Sequence, residues 1–305
     1  MPLAAGSPLV WVLHKWTKRL CHCAGVGLLA VFIASGCQTN KSRTGPHPLQ
    51  AKMRAESFSR PWARHALPYR LFVPKSVVGK APLIVFLHSV AGVGTDNVSH
   101  LAPDIELLIS DRVQSLEPTF VVAPQCPEND PWVKRNSPPP YRPLQLTKFT
   151  ESESNRLVVA LVAELSARIP IDADRVYLMG FSLGGAGTWD ILMRHPGVFA
   201  AGVPITGVGD VTRMDLLVNT AIWAFHGELD EVSPAENGRL MYEAMKKAGV
   251  KARYTEYKGV GHGSVGPALD EPELFRWLFA QRRLQQPGKP TLGDAGTGAL
   301  ERSER

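Results

Sequence analysis

The sequence has no unbroken apolar stretch long enough to cross a bilayer, which takes about 20 residues. Cysteine is scarce: four in 305 residues, at 21, 23, 37 and 126. Only Cys21 and Cys23 lie close together, with no second pair or histidine cluster nearby, so no structural zinc site is expected. There is no large excess of either charge. The net charge is +6, and residues 1–36 hold Lys15, Lys18 and Arg19 and no acid. The remaining basic excess is too small and too scattered for nucleic acid to be a partner. No internal repeat occurs, and no glycine-rich loop is followed by the Gly-Lys-Ser/Thr of a phosphate cradle. What the chain does have is 44% hydrophobic and 20% charged residues, enough to bury a real core.

The first 67 residues read as address and tether. Residues 14–20 (HKWTKRL) are basic, 24–36 (AGVGLLAVFIASG) apolar and small, and Cys37 follows at once. Basic, apolar and small-residue regions in that order form an export signal. Cys37 directly after Ala34-Ser35-Gly36 resembles a bacterial lipobox, with Ala34 where leucine is usual. The expectation is a signal over 1–36 and lipidation at Cys37, giving an exported lipoprotein held to a membrane, facing the periplasm or the cell surface, with a plain cleaved signal or an uncleaved anchor as the alternatives. Gln38 is compatible with outer-membrane sorting. Residues 37–67 then form a tether, and Cys126 is left as the one internal thiol.

From 68 to 284, strand and helix signals alternate. PLIVFLH (82–88), TFVVAPQ (119–125), RVYLMGFS (175–182), AAGVPITG (200–207) and AIWAFHG (221–227) are short apolar runs, and ARYTEYKG (252–259) is a less apolar one. Nearly continuous apolar strands are what a parallel sheet buried on both faces requires. Helical patterns lie between them at 153–168, 184–195, 234–248 and 271–284, with Pro234 and Pro272 where first helical turns tolerate proline. RLFVP (70–74) reads as an antiparallel lead-in strand, 126–150 as a proline-rich loop and 285–305 as a disordered tail. The fold class is α/β: a mostly parallel, doubly wound sheet with helices on both faces.

The third strand runs into Gly180-Phe181-Ser182-Leu183-Gly184-Gly185. G-x-S-x-G between a strand and a helix lifts a serine on a sharp turn, and the glycines make room for strand and helix to approach. A serine nucleophile needs a base and an orienting acid, found in the order Ser, acid, His in the α/β-hydrolase fold. Asp230 follows the fifth strand, with Glu228 and Glu231 as rival acids and helix capping as its plain structural alternative. His262 follows the sixth strand between glycines. An oxyanion hole needs two N–H donors. The backbone N–H of Leu183 is one candidate, and that of Val90, in the loop after the first buried strand, is the other.

The segments FLHSVAGVGTDN, VVAPQCP, GFSLGGAGTWDILMRHPGVFAAGVPITG, AIWAFHGELDEVSP and YTEYKGVGHGSV resemble the bacterial phospholipase/carboxylesterase-like α/β-hydrolases often called predicted peptidases. They are also similar to prolyl-oligopeptidase-type catalytic domains and to feruloyl and polyhydroxybutyrate-depolymerase-type esterases. The resemblance spans 68–283; Thr188-Trp189-Asp190 and Trp132 fit it. It implies a serine hydrolase that needs no cofactor or metal. Ser89 departs from it, standing where glycine, free to take positive φ, is usual. Ser89 and Trp132 are candidate substrate contacts; Trp132 is either a wall of the acyl pocket or a packing tryptophan. Cys126 reads as a small buried filler with no histidine beside it in sequence, Trp189 and Phe199 as core, His195 as a helix-end residue, and Arg282 and Arg283 as a solvated helix end. The expected function is a carboxylesterase acting on acylated polysaccharide or small aryl and acyl esters. The alternatives are a peptidase of prolyl-oligopeptidase type, a phospholipase, and a non-catalytic binding protein on the same fold.

Overall fold

The computed structural model describes residues 47–134, 138–145 and 148–284. The signal (1–36), Cys37 and the tail (285–305) lie outside the described residues. The elements run α1 (Pro48–Lys52), β1 (Arg54–Phe58), β2 (Leu67–Phe72), β3 (Ala81–Leu87), α2 (Pro103–Leu108), α3 (Asp111–Gln114), β4 (Phe120–Pro124), α4 (Glu153–Arg168), β5 (Ile171–Phe181), α5 (Leu183–Arg194), β6 (Ala201–Ile205), β7 (Ala221–Gly227), α6 (Ala235–Lys247), β8 (Ala252–Tyr257), α7 (Val265–Asp270) and α8 (Leu274–Phe279). Short 3₁₀ turns stand at Val90–Gly92 and Val211–Leu217.

One eight-stranded sheet has the order β1-β2-β4-β3-β5-β6-β7-β8. β1 and β2 are antiparallel to their neighbours, and the six strands β4-β3-β5-β6-β7-β8 pair with one another in parallel. This is the expected α/β-hydrolase fold. Strand alternation divides the core in two. Leu83, Val85 and Leu87 of β3 face the layer of α4, α5 and α6, with Leu157, Leu161 and Met241. Ile84 and Phe86 face the opposite layer, with Ile105, Leu108, Leu274 and Phe275 from α2 and α8. All seven residues of β3 are buried, which is why it reads as an unbroken apolar run. Each such side chain contributes about 1.5–3 kcal/mol on burial. Helix α4 is capped by Ser152, whose side chain accepts from the Asn155 N–H, and ends with Arg168 against the helix dipole.

Residues 47–67 of the expected tether belong to the folded body. α1 buries Leu49, Met53 is buried just after it, and β1 pairs along β2 with Arg54 opposite Leu71. RAESF carries one apolar residue, Phe58, so an edge strand here shows no hydrophobic alternation. The ordered body therefore begins before residue 68. The expected 271–284 helix is shorter, Leu274–Phe279. Arg283 is not solvated: its main-chain N–H donates to the Asp174 oxygen and its guanidinium pairs with the Asp174 carboxylate at 3.2 Å. No helix among the described residues is long and apolar enough to cross a membrane.

Candidate active site

β5 delivers the chain to Ser182, and α5 begins one residue later. Ser182 sits at φ 57°, ψ −110°, a left-handed conformation that strains a non-glycine residue. Two hydrogen bonds hold it there: its N–H donates to Ile205 O (2.9 Å) and its carbonyl accepts from Ala186 N–H (2.9 Å). The glycines answer a steric need. A Cβ on Gly184 would stand 2.0 Å from the Leu87 oxygen, and one on Gly180 2.3 Å from the Gly184 oxygen. Bare backbone thus lets the elbow press against the loop leaving β3.

The parallel sheet brings three distant loops to one edge. Ser182 Oγ lies 2.8 Å from His262 Nε2. His262 Nδ1 lies 3.0 and 2.9 Å from the two oxygens of Asp230. Asp230 is buried, and its Oδ1 also accepts from Val232 N–H (2.9 Å) and Ser233 N–H (2.8 Å). The carboxylate is thereby fixed as an acceptor, so His262 donates through Nδ1 and presents a bare Nε2 to the serine. The Phe181 ring stands 5.4 Å from the imidazole. The rival acids are elsewhere: Glu228 is exposed and accepts from Gly259 N–H, and Glu231 is exposed. Helix capping does not account for Asp230, because Pro234 takes the N-cap position of α6 and no side chain caps it.

One supporting residue carried no sequence signal beyond its place before a glycine. His226 is buried and its Nε2–H donates to Ser233 O at 2.7 Å, with the nearer Asp230 oxygen 3.6 Å away. Burial lowers its pKa, keeping the ring neutral beside the acid.

The second candidate oxyanion element is the 3₁₀ turn at Val90–Gly92, with the Val90 side chain exposed. Ser89 adopts φ −73°, ψ 179°, open to any residue, so serine there strains nothing. Behind the turn lies a tight network. His88 is buried; its Nδ1–H donates to Ser89 O (2.7 Å), and its Nε2 accepts from Cys126 N–H (3.2 Å). Burial pushes the His88 pKa down to about 4. Cys126 is the buried filler expected, and the fold sets a histidine from a distant part of the chain beside it, with Sγ 3.6 Å from His88 Nε2. Burial pushes the thiol up to about 12, so it stays protonated and is no nucleophile.

Trp132 does not wall an acyl pocket. It is fully buried, with its indole N–H donating to His88 O at 3.2 Å, and has no surface left for a substrate. Of the two readings, the packing tryptophan is the one the structure bears out, and Asn155 Nδ2 donates to Trp132 O at 2.9 Å, fixing the backbone that carries the ring. Val133, Leu144 and Ala186 form a small apolar cluster with Leu183 and Phe149 packed on it. Trp189 and Phe199 are core, as expected. His195 closes α5, with Nε2 against Glu151.

Known proteins similar to this chain are hydrolases. The dienelactone hydrolase family model matches residues 137–269. A solved structure of a thermostable esterase is 37% identical, with a TM-score of 0.70, over 76% of this chain and 64% of that one. An acyl-protein thioesterase 1 of Gibberella zeae is 32% identical over 121 residues, 33% of this chain. This chain thus spans about half the length of that curated relative, 47%. An acylaminoacyl peptidase of Pyrococcus horikoshii, 16% identical with a TM-score of 0.54, covers 78% of this chain and 43% of its own, and shares the fold. The chain has the α/β-hydrolase fold, and its residues 137–269 match the dienelactone hydrolase family model.

Proposed function

We propose that the chain is a serine carboxylesterase with Ser182, His262 and Asp230 as its triad. The observation that carries the reading is the unbroken hydrogen-bond chain from Ser182 Oγ through His262 to a buried Asp230. His262 Nε2 takes the Ser182 hydroxyl proton as Oγ attacks the ester carbonyl. The N–H groups of Leu183 and Val90 receive the oxyanion. The tetrahedral intermediate collapses, and the alcohol leaves with the proton from His262. Water then gives its proton to His262 and attacks the acyl-enzyme; collapse returns that proton to Ser182 and frees the acid. Asp230 holds the imidazole in the productive tautomer and stabilises its cation.

The thermostable esterase, at 37% identity, supports ester substrates, and the thioesterase relative adds thioesters to the bonds to be tried. The test is hydrolysis of p-nitrophenyl esters of graded acyl length, an acyl thioester and a peptide anilide, by wild type beside Ser182→Ala. Ester turnover that disappears in Ser182→Ala bears the reading out. Faster cleavage of the anilide than of every ester replaces it with a peptidase, and wild type as inert as Ser182→Ala replaces it with a binding protein.

We also infer that the enzyme works exported and tethered through a lipid on Cys37, a reading that rests on the lipobox-like Ala34-Ser35-Gly36-Cys37. Labelled palmitate that enters the wild type and not Cys37→Ser supports it; equal labelling overturns it.

A further inference from the structure

A cavity of about 260 Å³ lies between the proline-rich strap and the first turn of α6, lined by Pro140, Tyr141, Arg142, Pro234, Glu236 and Asn237. The strap is tied to the acid loop by a main-chain bond and to α6 by a side-chain one. Tyr141 N–H donates to Val232 O at 2.8 Å, and Asn237 Nδ2 donates to Tyr141 O at 2.8 Å. Val232 N–H in turn donates to Asp230. A further bond, Leu144 N–H to Gly209 O at 2.9 Å, carries the strap past the loop that follows β6.

The sheet order gives the cavity a side. The loop after β3 carries the candidate oxyanion turn, β5 carries Ser182, and β7 leads into the acid loop. In strand order the oxyanion turn, after β3, and the acid loop to which the cavity is bonded, after β7, lie on opposite sides of β5. The cavity is on the side of His262 and Asp230, where a leaving alcohol collects its proton.

Its lining selects a chemistry. Two prolines and the Tyr141 ring offer flat apolar walls. Arg142 is exposed, and no carboxylate among the described residues pairs with it. Glu236 on the same rim lies 3.7 Å from Arg239 and is 71% exposed. A carboxylate ligand would gain Arg142 but meet Glu236. An alkyl chain would desolvate both rim charges for nothing. A saturated ring bearing hydroxyls suits both parts: its C–H face lies on proline and tyrosine, and its hydroxyls donate to Glu236 and accept from Arg142. The volume, below the roughly 300–1,000 Å³ of drug-sized sites, suits a single ring.

We infer that this cavity is the alcohol-side subsite of the esterase and receives a pyranose-type ring whose hydroxyl carries the ester. The inference rests on the esterase reading, and its test separates the two. One acyl group is presented on a pyranoside hydroxyl and on ethanol, and kcat/KM is measured for wild type, Tyr141→Ala and Arg142→Gln. The pyranoside-over-ethyl preference is expected to fall about fivefold to tenfold in each variant, the weight of a lost hydrogen bond or ring contact. An unchanged preference overturns the subsite. Saturation-transfer NMR of methyl pyranoside on Ser182→Ala needs no turnover. Contact that disappears when Arg142→Gln is added supports the subsite even if every ester is inert. No contact with the parent Ser182→Ala protein overturns it whatever the esterase result.

Discussion

The indole N–H of Trp132 donates to the main-chain oxygen of His88 at 3.2 Å, and the two rings stand 5.1 Å apart. A loop residue that could have been either pocket wall or packing is a strut behind the turn that holds Val90. Trp132→Phe keeps most of the apolar bulk and removes the donor. It is expected to lower stability by about 1–3 kcal/mol, because a buried carbonyl loses its partner. Loosening the turn is further expected to lower kcat about tenfold with little change in KM, since oxyanion donors act mainly in the transition state. Urea midpoints and steady-state kinetics on a short ester check both. A stability loss with kcat intact removes this turn from the oxyanion hole.

Asp230 serves three N–H donors: His262 Nδ1, Val232 N and Ser233 N. Asp230→Asn can still accept from the main chain, but an amide facing His262 favours the wrong tautomer. The expected fall in kcat is on the order of 10⁴. Glu228→Gln, two residues away on an exposed side chain, is the control and is expected to leave kcat nearly unchanged. Comparable losses in both variants would remove Asp230 from its role as the acid.

How legible this was depends on what each element needs from its side chains. A strand buried on both faces must be apolar throughout, so APLIVFL announced β3. An elbow must be bare of side chains, so Gly180 and Gly184 announced Ser182. β1 needs only main-chain pairing and one apolar residue, so RAESF announced nothing. The strap from 138 to 145 is fastened by main-chain N–H groups of Tyr141 and Leu144, which any non-proline residue supplies. His226 and Trp132 owe their roles to carbonyls 7 and 44 residues away in sequence. No local pattern encodes such partners.

Buried histidines give the stability a pH dependence. Burial pushes His88 to about 4 and His100 to about 3, and it also lowers His226. With folded pKa values below the ordinary 6.5, the unfolded chain binds more protons, so stability rises with pH. These contributions are fully present above about pH 6.5 and are lost as pH falls toward 4 and 3. His88 alone accounts for a loss of about 3 kcal/mol by pH 4. Asp104 and Asp190, raised by burial, act in the opposite sense, and a comparison with a single variant cancels them. His100→Gln retains a donor for the Ala123 oxygen and gives up a buried Nδ1 that has no partner. Between pH 7 and 4.5 the variant is expected to lose about 2–3 kcal/mol less than wild type. Parallel urea-midpoint profiles would show that His100 is not held neutral.

The strained serine permits a prediction in which stability and activity part. At φ 57°, ψ −110°, a residue with a Cβ costs about 1–3 kcal/mol over one in a relaxed conformation. Glycine escapes that cost but loses more backbone entropy on folding, about 0.4–1 kcal/mol. The first figure exceeds the second, so Ser182→Gly is expected to be about 1 kcal/mol more stable than Ser182→Ala, though both lack the nucleophile. Comparing the two variants, rather than either with wild type, cancels the lost contact to His262. Thermal midpoints in the same buffer decide it. If glycine proves the less stable, the elbow holds no strain for it to release, and Ser182 is carried at that angle by its bonds to Ile205 and Ala186 at no conformational cost.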